Sequence, residues 1–129
     1  MTEALPKPRI KISSAKAKGR KGQQMVRDWL LGLFPDLEPD DVVSTSMGAG
    51  GADICLSPAA RKLIPYAWEV KSCAKATIQT NFDQASRHAA KSPSKATPIV
   101  VTKVDRKPAL ATIELSHLEE LWRRAGMVR

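Results

Sequence analysis

Trp68-Glu69-Val70-Lys71 carries the residue types best suited to chemistry in this chain. The stretch reads as a strand, in which alternate side chains leave opposite faces. Glu69 and Lys71 then share one face, while Trp68 and Val70 turn into a core. Sixteen residues before Glu69 stands Asp53, in Gly50-Gly51-Ala52-Asp53-Ile54. Two carboxylates and an ammonium suit a divalent cation held against a phosphodiester. Phosphodiesters resist hydrolysis because their charge repels nucleophiles; Mg2+ offsets that charge and acidifies a water. Mg2+ prefers oxygen ligands and often rests on only one or two carboxylates. Asp53 and Glu69 supply these, and the backbone carbonyl of Val70 can add a third oxygen. Lys71 can stabilise developing charge or, partly buried, help to deprotonate the water. The same residues admit a plainer arrangement, with Glu69 and Lys71 as an exposed ion pair and Asp53 capping a turn.

The elements that must position these groups follow from pattern. Residues 1 to about 17 read as a basic flexible arm, broken by Pro6 and Pro8 and lacking an apolar period. From Lys18 to Phe34 the spacing predicts a helix with Val26, Trp29, Leu30 and Leu33 as its buried stripe, ended by Pro35. Arg20, Gln23, Gln24, Arg27 and Asp28 lie mainly off that stripe. Val42–Ser46 and Ala52–Leu56 read as strands around the loop 47–51. That loop is no dinucleotide fingerprint, because its third glycine position falls on Asp53. Ser57-Pro58 can cap a helical turn over 59–63. Tyr66–Ser72 is the central strand, Thr77–Ala90 a second helix, and Pro98–Val104 a strand buried on both faces. Asp105-Arg106-Lys107-Pro108 turns a hairpin into Ala109–Leu115. Ser116 and Glu119 form a capping-box pattern that opens a last helix, with Leu118, Leu121 and Trp122 inward. The order implies one small α/β domain over 18–129 with a central mixed β-sheet flanked by helices.

Bulk properties narrow the partners. The chain has 129 residues and a net charge of +8. Seven Lys and Arg residues against Glu3 place six of those charges in the first 21 positions. Such a field favours polyanions, of which nucleic acid is the commonest in cells. Lys16, Lys18, Arg20, Lys21 and Arg27 are candidate phosphate contacts, and Ser46 can hydrogen-bond phosphate. An aromatic content of 5% is too sparse for a base-stacking platform. No apolar run would span a bilayer and no signal-peptide pattern opens the chain, so no membrane partner is expected. Cys55 and Cys73 form no disulfide framework and behave by default as small buried apolar groups; a reducing, intracellular compartment is expected. His88 and His117 each stand without a partner at ligand spacing, and His117 reads as surface.

Taken together, Asp53 with Glu69-Val70-Lys71 in this element order resembles the PD-(D/E)XK nuclease superfamily. Lys18-Gly19-Arg20-Lys21-Gly22-Gln23-Gln24, Ser44-Thr45-Ser46-Met47-Gly48, residues 57–62 and Asp83-Gln84-Ala85 are similar to small phage and prophage endonucleases near the Holliday-junction-resolvase group. The resemblance runs from about residue 16 to 122. It implies a three-layer restriction-endonuclease-like core and Mg2+-dependent cleavage of DNA, branched DNA included, with Mn2+ able to substitute. It also implies a homodimer in the cytoplasm of a bacterial or phage-infected cell. Asp53 and Glu69 would be metal ligands, Lys71 the catalytic lysine and Gln84 a donor near the site. Two departures stand out. Residue 52 is Ala where the family pattern has Pro, and the first helix offers Gln24, or failing that Asp28, where many members carry Glu.

Overall fold

The computed structural model describes residues 12–45, 51–72, 77–92 and 94–128, with backbone alone for 12–15. Met47–Gly50, Cys73 and the candidate phosphate contact Ser46 therefore lie outside the described residues. The elements in order are α1 (Ile12–Leu33), a 3-10 turn (Pro39–Asp41), β1 (Val42–Ser44), β2 (Ile54–Leu56) and α2 (Pro58–Leu63). They continue with β3 (Tyr66–Ser72), α3 (Ile78–Lys91), β4 (Thr97–Lys103), β5 (Leu110–Thr112) and α4 (Leu115–Arg124). The chain is mixed α/β. α1 begins at Ile12, so residues 12–17 are helical rather than part of an arm. Among the described residues no helix is long and apolar enough to cross a membrane.

The strands form two small sheets. β1 and β2 are antiparallel, with Val43 opposite Cys55. β3 runs parallel to β4, with Glu69 opposite Val100, and β5 returns antiparallel to β4. The β4–β5 turn places Arg106 at φ 63°. One backbone bond stitches the two sheets, from Asp53 N–H to the Trp68 carbonyl at 2.9 Å.

The three-stranded sheet has helices on both faces. Trp68, Val70, Ile99 and Val101 pack with Val26 and Leu30 of α1. On the other face Val100 packs with Phe82 and Ala85 of α3. α1 comes close at Gly22, where a Cβ would meet side-chain atoms of Ser72 and Val70 at 3.3 Å. That proximity explains a glycine inside a helix, where it otherwise costs about 1 kcal/mol.

Several inward residues differ from expectation. Trp29 and Leu33 are each 55% exposed, because the sheet α1 covers is only three strands wide and meets one narrow stripe of it. Gln23, three before Val26 and seven before Leu30, is buried instead. α4 starts at Leu115 with Glu114 as N-cap and no side-chain cap bond, so Ser116 and Glu119 do not form the box. His117, expected at the surface, is buried and its Nε2 lies 2.8 Å from the Tyr66 hydroxyl, while Trp122 is exposed. Cys55 is exposed, since β2 turns Ile54 and Leu56 inward and the residue between them out.

Candidate metal and catalytic site

The site grows from β3. Its period of two sends Trp68 and Val70 to α1 and turns Glu69 and Lys71 toward α3. Glu69 is buried at 2% exposure, so the exposed ion pair considered for it is not formed. Burying a carboxylate is costly unless it is paired and hydrogen-bonded. Lys71 Nζ stands 3.6 Å from Glu69 Oε1, and His88 Nδ1 stands 3.0 Å from Oε2, where a protonated Nδ1 donates. Lys71 in turn donates to Gln84 Oε1 at 2.8 Å. Gln84 and His88 are four apart on α3, one above the other on the same helix face. α3 thus supplies one partner to each of the two β3 side chains.

Asp53 approaches from the neighbouring sheet. Its N–H donates to Trp68 O, and its Oδ2 accepts the Val70 N–H at 2.8 Å. These bonds grip β3 on either side of Glu69. The Asp53 carbonyl accepts from Thr45 N–H at 2.8 Å and from the Thr45 hydroxyl at 3.1 Å, which holds the turn before β2. Burial pushes the Asp53 carboxyl above its ordinary range; the Val70 N–H pulls against this, and the Glu69 charge adds to it. Like charges drawn together and partly desolvated favour a cation between them.

The donor set fits a hard divalent ion. Asp53 and Glu69 give carboxylate oxygens, and Mg2+ needs no more protein carboxylates than these. Among the described residues no group of three or more His, Cys, Asp and Glu side chains is arranged to cage a metal. The Val70 carbonyl belongs to the residue whose N–H Asp53 already holds, so Asp53 and Val70 are fixed relative to each other.

Other candidates lie elsewhere. Gln24 is exposed and, with Arg27 and Asp28, lines a shallow cavity against β1; it makes no hydrogen bond to either carboxylate. Asp28 is exposed and pairs with Arg27 at 3.2 Å. Arg27 also donates to the Val42 carbonyl at 2.8 Å, tying α1 to β1. Lys18 pairs with Asp105 at 2.8 Å, while Lys16, Arg20 and Lys21 are exposed on α1.

Sequence reasoning missed His88 as a site residue and Gln23 as a buried one. The signal for His88 was its four-residue spacing from Gln84, and for Gln23 its register with Val26 and Leu30. The chain matches no family model, no curated protein and no solved structure.

Proposed function

We propose that this chain is a metal-dependent DNA endonuclease of the PD-(D/E)XK type, acting on branched DNA. The observation that carries the reading is the grip of Asp53 on β3. One aspartate bonds Trp68 O and Val70 N around a buried Glu69, with Lys71 on Glu69's own face. Asp53 and Glu69 would hold Mg2+, which when bound supplies charge neutralisation at the phosphodiester and a more acidic water. Lys71, fixed by Gln84, offers its ammonium to the charge that develops on phosphate oxygens. His88 holds the Glu69 carboxylate, and Gln84 accepts a hydrogen bond from Lys71 beside the Lys71–Glu69 ion pair. Helices on both faces of the three-stranded sheet support a three-layer restriction-endonuclease-like core. Action on branched DNA carries with it a homodimer, since two strands must be cut.

The alternative is a DNA-binding protein without catalysis. It draws support from Glu69, which already has two partners within the protein, and from an α1 that brings no carboxylate to the pair.

The test incubates supercoiled, linear and four-way-junction DNA with the protein in Mg2+, Mn2+ or EDTA. The wild type is expected to nick or resolve DNA only with metal. Asp53→Asn, Glu69→Gln and Lys71→Ala should each lose about 100-fold or more in rate while still binding DNA. Metal-dependent cleavage that persists in Asp53→Asn and Lys71→Ala would sink the nuclease reading. Binding without any metal-dependent product would favour the alternative.

A further inference from the structure

A cavity of about 310 Å3 opens next to the chain neighbours of Asp53 and the His88 that bonds Glu69, and no described residue of α1 lines it. Ala52 and Ile54, the neighbours of Asp53, form part of its wall, and His88 forms another part. The His88 ring therefore stands between the cavity and Glu69, with Nδ1 on the Glu69 carboxylate. Arg61 of α2 and Lys91 of α3 line the cavity from opposite elements, and Ser92 adds a hydroxyl. No Asp or Glu lines it among the described residues.

Some cations of the chain are already paired within it. Lys18 is paired with Asp105, Arg123 with Glu119, and Arg124 with Glu120. Arg61 and Lys91 form no ion pair among the described residues, although both are exposed and long enough to find one. α2 is held firmly enough to aim Arg61. Ser57 caps it by accepting the Ala60 N–H at 3.1 Å, and the Ser57 hydroxyl donates to Asp41 at 2.7 Å. Two uncompensated cations over a concave, carboxylate-free wall focus a positive potential. The volume sits at the small end for ligand cavities, which suits one unit of a polymer rather than a bulky cofactor.

We propose that this cavity is a phosphate subsite, in which Arg61 and Lys91 hold a backbone phosphate of the bound nucleic acid strand next to the one at Asp53 and Glu69. The placement at the metal site rests on the nuclease reading; the anion binding does not. Arg61 takes phosphate through its planar fork and Lys91 as a point charge. Neither residue was among the sequence-based phosphate contacts, which all lie on α1 or at Ser46.

The experiment measures binding of a fluorescein-labelled duplex by anisotropy in EDTA, so that no cleavage intervenes. The protein is the full chain, as wild type, as the Arg61→Ala/Lys91→Ala double variant and as the Arg123→Ala/Arg124→Ala double variant. The last removes the same charge from α4. The cavity variant is expected to raise Kd by about 10-fold or more and to lower the slope of log K against log salt by about two. The α4 variant should change Kd by less than about 3-fold, as screened distant charges do. Equal losses in both variants would overturn the proposal, as would an unaltered Kd in the cavity variant or a wild type that does not bind. A wild type that never cleaves, yet loses affinity only through Arg61 and Lys91, would end the nuclease reading and uphold the subsite.

Discussion

Asp53 pulls stability and chemistry in opposite directions. Its carboxyl is raised above the ordinary value, chiefly by burial, with the Glu69 charge adding to the rise. The folded protein therefore keeps this proton to higher pH than the unfolded chain does. Between the two values the unfolded state binds fewer protons, so stability falls as pH rises through that window. Above it, ionised Asp53 weighs against folding. Asp53→Asn removes the charge and keeps an oxygen to accept the Val70 N–H. The variant should melt above the wild type near pH 7 in EDTA, and the gap should close by about pH 3, where Asp53 is neutral in the folded and the unfolded wild type alike. Each kcal/mol recovered would read as about 3–6 °C in Tm by scanning calorimetry. A variant that melts below the wild type near neutrality would remove the charge conflict from the argument. Gain of stability with loss of activity is the mark of a residue kept for function. At this scale the facing of Glu69 and Lys71 was legible, because a strand's period of two admits no other arrangement. His88 was not, because its partner is nineteen positions away and meets it only when α3 lies on β3.

Among the elements, β3 is the one on which the others converge. α1 covers its Val70 face, α3 its Glu69 face, β4 its parallel edge, and Asp53 grips its backbone from the turn before β2. The extents of β3, β4 and α3 follow from composition: alternating or β-branched apolar runs for the strands, and Pro and Ser at the boundaries. The inner face of α4 does not. Its apolar residues Leu115 and Trp122 are exposed, while His117 enters the interior by bonding Tyr66 at the start of β3. The ring centroids are 5.3 Å apart and edge to face, so the contact is packing as well as hydrogen bonding. Hydrophobic periodicity cannot find such an anchor, because a polar ring is the buried group. Tyr66→Phe leaves the packing and deletes the hydroxyl, stranding Nε2 of a nearly buried imidazole. The expected cost is about 1–2 kcal/mol, the usual range for a buried polar group left without its partner. Denaturant unfolding should show that loss with an unaltered m-value. Metal-dependent cleavage should be retained, since Tyr66 touches neither carboxylate. A loss below about 0.3 kcal/mol would mean that water replaces the hydroxyl and that α4 is held by packing alone.

Over the whole molecule, net charge was readable from composition and its distribution was not. A count of +8 says that polyanions are attracted, and says nothing of where they rest. Folding spends part of that charge internally. Lys18 goes to Asp105, Arg27 to backbone carbonyls and Asp28, and the α4 arginines to glutamates one turn away. At the cavity beside His88, Arg61 and Lys91 form no ion pair among the described residues; they stand on elements far apart in sequence and line it together. With that pair as the anchor, the expected footprint is local, on the order of two to four phosphate contacts rather than a whole basic surface. Counterion release then sets a modest salt dependence: Kd for a short duplex should rise about 10- to 100-fold between roughly 50 and 200 mM salt. Anisotropy titrations at four salt concentrations give the slope directly. A dependence steeper by several further decades would return the binding to the basic N-terminal segment and α1. A flat one would take nucleic acid away as the partner, since no phosphate could then be displacing counterions at Arg61 and Lys91.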